Sequence, residues 1–180
     1  YQASIRDNQF LFPLLLCLVP ILLLFCLKSA WSAFCLSFMT LFTIALAAGT
    51  YSWLGIPFNS ISRLGPMVVF VVAIADGIHI ASVYTQGLAR GLRDNDAMLE
   101  SLKINFVPVT VATITTTMGF LSLNFSSSPA IYGFGNVIAL GVLWAFVLTF
   151  TLLPGLILFP GWIRSLPLMT RLRTKMMPLI

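Results

Sequence analysis

An acid stands in the middle of an apolar stretch: Asp76, within Leu64 to Tyr84, followed three residues later by the chain's single histidine, His79. An ionised aspartate at the centre of a bilayer costs about 2.5–3.5 kcal/mol on insertion scales, so an acid kept at that depth is functional by default. The chemistry it suits is proton binding and release, because a group that changes charge inside a membrane can couple movement to a proton gradient. The i,i+3 spacing places His79 on the same helix face, one turn toward the cytoplasm. There it would relay protons between the cytoplasm and Asp76. Two plainer readings stay open: an aspartic acid held neutral by a bond to a neighbouring helix, and a neutral core histidine donating one hydrogen bond. One Asp and one His, with no Cys nearby, fall short of a metal-binding set, and no cofactor is expected.

A polar stripe follows in the next apolar run: Thr110, Thr113, Thr115, Thr116, Thr117 and Asn124. Thr110, Thr113, Thr117 and Asn124 share a helical face. Counting inward from the edges of the two runs sets Asp76 level with Thr113, and His79 level with Thr110. Hydroxyls there would donate to a carboxylate or accept from a carboxylic acid. The competing reading is close helix packing by small residues, a role also assigned to Gly77, Gly119 and Gly135.

Composition names the medium in which these residues work. The chain has 180 residues, 59% hydrophobic and 8% charged, against about 25% charged in a soluble domain. Mean hydropathy is +1.00. Soluble and disordered classes are excluded, and three cysteines in apolar runs (Cys17, Cys26, Cys35) make no disulfide scaffold. An integral membrane protein remains. A span needs about 20 mostly apolar residues. Five candidates lie at about 10–27, 31–53, 64–84, 105–125 and 131–159, together forming a bundle over 10–163. Continuous rather than alternating runs select helices over a barrel. Pro154-Gly155 reads as a kink or as the real end of the fifth span. No P-loop, no Gly-x-Ser-x-Gly elbow and no His-Glu-x-x-His is present, so no enzyme is expected. The basic residues lack aromatic interleaving, and nucleic acid is not indicated.

Eight basic residues fall on one side of this arrangement (Lys28, Arg90, Arg93, Lys103, Arg164, Arg171, Arg173 and Lys175) and two on the other (Arg6, Arg63). The richer side is cytoplasmic, which puts the N-terminal end outside and the basic tail 164–180 inside. Residues 86–103 read as a helix lying at the cytoplasmic surface, capped by Asp94 or Asn95, with a Glu100–Lys103 pair. Starting at Tyr1, with five spans entered from outside, the chain is expected to be part of something longer.

The order of these features is similar to that of a known family. Gly55-Ile56-Pro57-Phe58-Asn59 precedes the third span, and Ala73-Ile74-Ala75-Asp76-Gly77-Ile78-His79 lies mid-membrane. Thr115-Thr116-Thr117-Met118-Gly119-Phe120-Leu121-Ser122-Leu123 follows, and then Phe134-Gly135 opens a span reaching Leu152-Leu153-Pro154. This resembles the resistance–nodulation–division (RND) superfamily, nearest its lipid- and hydrophobe-exporting, MMPL-like branch, whose core is shared with sterol-sensing domains. The resemblance implies helices two to six of one six-helix repeat, with residues 1–9 closing an extracytoplasmic domain. It further implies proton-driven export across a bacterial inner membrane, with Asp76 matching the family's coupling acid. The partners it implies are protons, membrane lipids, a hydrophobic or lipid-like substrate and a second repeat, with a homo-oligomer left open. Gly77 stands where many relatives carry a second acid or a Tyr, and Ala73 where many carry Gly. The alternative is a sterol-sensing-like module that binds lipid or regulates without transporting.

Overall fold

The computed structural model describes residues 18–24, 27, 29–55 and 61–165, of which 160–165 are described as backbone. Helix α1 is represented by residues 18–24. It is followed by α2 (Ala30–Trp53), α3 (Gly65–Ala89), α4 (Asp94–Leu121) and α5 (Pro129–Ser165). Short 3-10 turns at Ser62–Leu64 and Ser122–Phe125 lead into α3 and close α4. The protein is an all-α bundle with no strand among the described residues, and α2 to α5 are each long and apolar enough to cross a membrane. Helices are the form that satisfies every backbone group within one segment in lipid. The expected segment 1–9, Lys28, the turn residues 56–59 and the tail beyond Ser165 lie outside the described residues.

The ends of the helices follow local chemistry. The Ser29 hydroxyl accepts from the Ser32 amide at 3.3 Å and caps α2. Proline stands in the first turn of α3 and at the start of α5, where its missing N–H costs nothing. Asp94 and Asp96 occupy the first turn of α4, where the helix dipole favours anions. The cap position there is Arg93, which makes no side-chain cap bond, so neither Asp94 nor Asn95 is the cap.

Four further differences from the sequence reading concern helix bounds and one ion pair. The helix expected at the cytoplasmic surface is present at 94–103, and it continues unbroken into the fourth span. α3 likewise runs on to Ala89, so the polar segment consists of two helix ends joined by a tight turn. Gly91 makes that turn at φ 86°, a left-handed conformation that side chains resist. Glu100 pairs across the turn with Arg90 at 2.8 Å, rather than with Lys103. Pro154-Gly155 does not end α5, which stays helical to Ser165.

Close approaches set the packing. A Cβ at Gly77 would collide with Leu36 Cδ1, one at Gly141 with Val69, and one at Gly135 with the Phe120 carbonyl. At Gly65 it would stand 2.7 Å from Val137 Cγ1. Gly65 and Val69 on α3 thus face Val137 and Gly141 on α5, equal steps in the same direction, so these helices run parallel. α2 is stitched to α5 by Trp31 Nε1 donating to the Leu156 carbonyl (3.2 Å) and Trp144 Nε1 donating to Thr50 Oγ1 (2.9 Å).

Candidate functional site

α3 carries Asp76 beside a close approach to α2. Its helical turn is fixed by Gly77 against Leu36 on α2, and Asp76 is only 7% exposed. Its Oδ2 atom is buried without a hydrogen-bond partner. No Asp, Glu, Lys, Arg or His occurs in α2, in α4 beyond Lys103, or in α5 before Arg164. The acid therefore faces an uncharged interior, the arrangement in which a carboxyl's charge state matters most. On α2 and α5 the neighbouring layer contains Met39, whose sulfur accepts a 3.7 Å bond from the buried Thr149 hydroxyl.

His79 is on the outward side of α3 and is exposed in this bundle. Asp76 is buried at the margin of that outward stripe, which also includes Val71 and Ala75. The i,i+3 spacing brings the two residues onto adjoining faces, one inside and one outside.

The polar stripe of α4 divides. Thr113 and Thr117 are buried (5% and 8% exposed), and neither hydroxyl has a partner. Thr110 is half-buried, and its hydroxyl donates to the Phe106 carbonyl of its own helix. Asn124 is exposed, and its amide exchanges two 3.0 Å bonds with Asn136 on α5, tying the C-terminal end of α4 to the start of α5. Thr110 and Asn124 therefore do not join Thr113 and Thr117 in one inward face. Gly119 is exposed, with nothing within 4 Å of where its Cβ would stand, so it is not a packing glycine, unlike Gly77 and Gly135.

Depth is read from the contacts between α3 and α4. Ser101 Oγ donates to the Ile80 carbonyl at 2.6 Å, and Asn105 Nδ2 to the His79 carbonyl at 3.4 Å and the Ser101 carbonyl at 2.9 Å. A Cβ on Gly87 would come 2.9 Å from Ala97 Cβ. The pairing runs antiparallel and sets Asp76 level with residues 105–108. Thr113 lies roughly 10 Å farther along α4 and Thr117 roughly 15 Å, at 1.5 Å per residue. The expected alignment of Asp76 with Thr113 is thus corrected. The hairpin pivots at Gly91, so depth counted from the apolar edges errs by nearly two turns.

Ser101 and Asn105 belong to this site, although neither was among the residues expected in it from sequence. A signal for them existed. Ala97, Ser101, Asn105, Val109, Thr113 and Thr117 recur every four residues and are all buried, forming one i±4 packing ridge.

The family-model comparison matches residues 1–177 to the MMPL family. The chain belongs to the MMPL family. Among curated proteins it is 28% identical over 133 residues to a membrane protein of Methanocaldococcus jannaschii, covering 74% of this chain and 34% of that one. It is 26% identical over 160 residues to the nickel and cobalt resistance protein CnrA of Cupriavidus metallidurans, covering 86% of this chain and 15% of that protein. The chain thus spans about a third of the length of one relative and less of the other. For this MMPL-family chain, the match agrees with the resemblance carried by Asp76-Gly77-Ile78-His79 and the threonine segment. Among the described residues there is no group of three or more His, Cys, Asp or Glu able to hold a metal ion.

Proposed function

We propose that this chain is the transmembrane unit of a proton-driven RND-type exporter of hydrophobic or lipid-like molecules, with Asp76 as its coupling acid. The observation that carries the reading is the Asp76 carboxyl, deeply buried at mid-helix with Oδ2 free of any protein partner. A structural acid in hydrocarbon would be expected to have both oxygens satisfied, since each unsatisfied group costs several kcal/mol. An acid that must bind and release protons needs an oxygen left available.

The rest of the proposal follows from placement. The membrane is an energised cytoplasmic membrane, with the Gly91 turn inside and the 126–128 turn outside, the orientation supported by the basic-residue asymmetry. Exposed Ile104, Val107, Val111, Ile114 and Met118 line one side of α4, a surface suited to lipid or to apolar cargo. The stripe of α3 with Val71, Ala75 and His79 is the face a second repeat would cover, and His79 would then act across that boundary as an auxiliary proton carrier.

The test is Asp76→Asn in the intact transporter, reconstituted into vesicles. The amide keeps the size of the protonated acid but exchanges no proton. Proton uptake and substrate export should both be lost while the protein still inserts and folds. Export at the wild-type rate would make Asp76 structural and favour the non-transporting lipid-binding module.

A further inference from the structure

Threonines in these spans have a standard way of satisfying themselves. The hydroxyls of Thr40, Thr43, Thr50, Thr110, Thr115 and Thr151 each donate to the carbonyl four residues earlier in their own helix. Thr113 and Thr117 do not, although both are more than nine-tenths buried. Both belong to the buried ridge of α4 that meets α3 at Ala97, Ser101 and Asn105. They lie on the same ridge, one turn apart, on the extracytoplasmic side of the level of Asp76.

The cytoplasmic side of the same α3–α4 seam is built oppositely. Ser101 and Asn105 spend their donors on the His79, Ile80 and Ser101 carbonyls. Gly87 and Ala97 bring the backbones together, and the Tyr84 hydroxyl donates to Asp94 Oδ1 at 3.3 Å. Every polar group named there is engaged, whereas Asp76 Oδ2 and, beyond it, the Thr113 and Thr117 hydroxyls are buried without a partner.

From this asymmetry we infer that Asp76 exchanges protons with the extracytoplasmic side through the α3–α4–α5 seam, with Thr117 and Thr113 as its hydroxyl stations and the Ser101–Asn105 contacts as the closed inner gate. The inference rests on the proposed role of Asp76 and adds the route and its sidedness. Water threading the seam would carry the proton. At each station a threonine oxygen accepts a hydrogen bond from the outer water and the hydroxyl donates to the inner one. A proton entering from outside displaces one along the chain, and the last bonds to Asp76 Oδ2. Each hydroxyl ends with the proton count it began with, and the carboxylate gains one. The groups facing this route from α2, α4 and α5 are uncharged, and His79 on α3 is the other ionisable side chain near the acid.

The test uses the intact transporter in vesicles under an imposed pH gradient. Thr113→Val with Thr117→Val keeps shape and removes both hydroxyls. Proton uptake should fall at least tenfold, and Thr113→Ser with Thr117→Ser should restore it. In a background without reactive native cysteines, Thr113→Cys should react with a membrane-impermeant thiol reagent applied outside and not with reagent applied inside. Wild-type uptake in the double-valine variant, or labelling of Thr113→Cys from the inside alone, would overturn the route. Asp76→Asn run in parallel separates the two claims. If it is inactive while the double-valine variant is unimpaired, the coupling acid stands and the route falls. If it is active, the underlying reading falls as well.

Discussion

Asn105 on α4 reaches the backbone of His79 on α3, its Nδ2 donating to that carbonyl at 3.4 Å while also holding the Ser101 carbonyl at 2.9 Å. One amide thus joins the N-terminal half of α4 to the turn of α3 that follows Asp76. The contact sets the register of the helix pair, and with it which side chains share the acid's depth.

Replacing Asn105 with Leu should loosen that register. Interhelical hydrogen bonds in membranes contribute about 0.6–2 kcal/mol, and a loss of that size is expected in detergent unfolding. Ser101→Ala should cost a similar amount. Because the two side chains share one contact region, the double variant should cost less than the sum. Strict additivity would mean that the two bonds act independently.

Gly77 should tolerate no larger residue. A Cβ there collides with Leu36 Cδ1 on α2, and overpacking costs about 1–3 kcal/mol. Gly77→Ala should lower the unfolding midpoint, and Leu36→Ala in the same molecule should recover part of the loss. At Gly119, with nothing within 4 Å, alanine should be neutral or slightly stabilising, since it is the better helix former. Equal effects at the two glycines would refute the packing described for Gly77.

The Arg90–Glu100 pair is a contrasting case. It is short, at 2.8 Å, but the side chains are 57% and 34% exposed. Exposed pairs contribute about 0–1 kcal/mol and are screened by salt. Glu100→Gln should therefore shift stability within that range, and less at high ionic strength. A loss comparable to that of Asn105→Leu would contradict the assignment of the gate to the buried amide.

Topology is open to direct measurement at two exposed positions. Arg93→Cys, beside the Gly91 turn, should resist an impermeant thiol reagent in sealed cells. Ser127→Cys, at the turn between α4 and α5, should react. Both positions are exposed, so burial does not confuse the result, as it would at the fully buried Ser101. The opposite labelling pattern would invert the bundle.

Apolar runs and the lone acid were readable from the chain because they depend on composition over a window, and the bilayer enforces both. Few charges mean lipid, uninterrupted apolar runs mean helices, and an aspartate within such a run is conspicuous against its surroundings. Depth was not readable in the same way. Arg90, Arg93, Asp94 and Asp96 mark a polar segment, but polarity does not say whether a segment is a loop or two helix ends. The positive φ of Gly91 and the unbroken α4 settle it as two helix ends. Nor does helical periodicity tell whether a hydroxyl is spent on its own backbone. Thr110 and Thr113 look equivalent on a wheel, yet one bonds Phe106 and the other is buried and unpartnered. That difference arises from which neighbouring helix each residue meets, a property of the packed bundle that residue order along α4 does not contain.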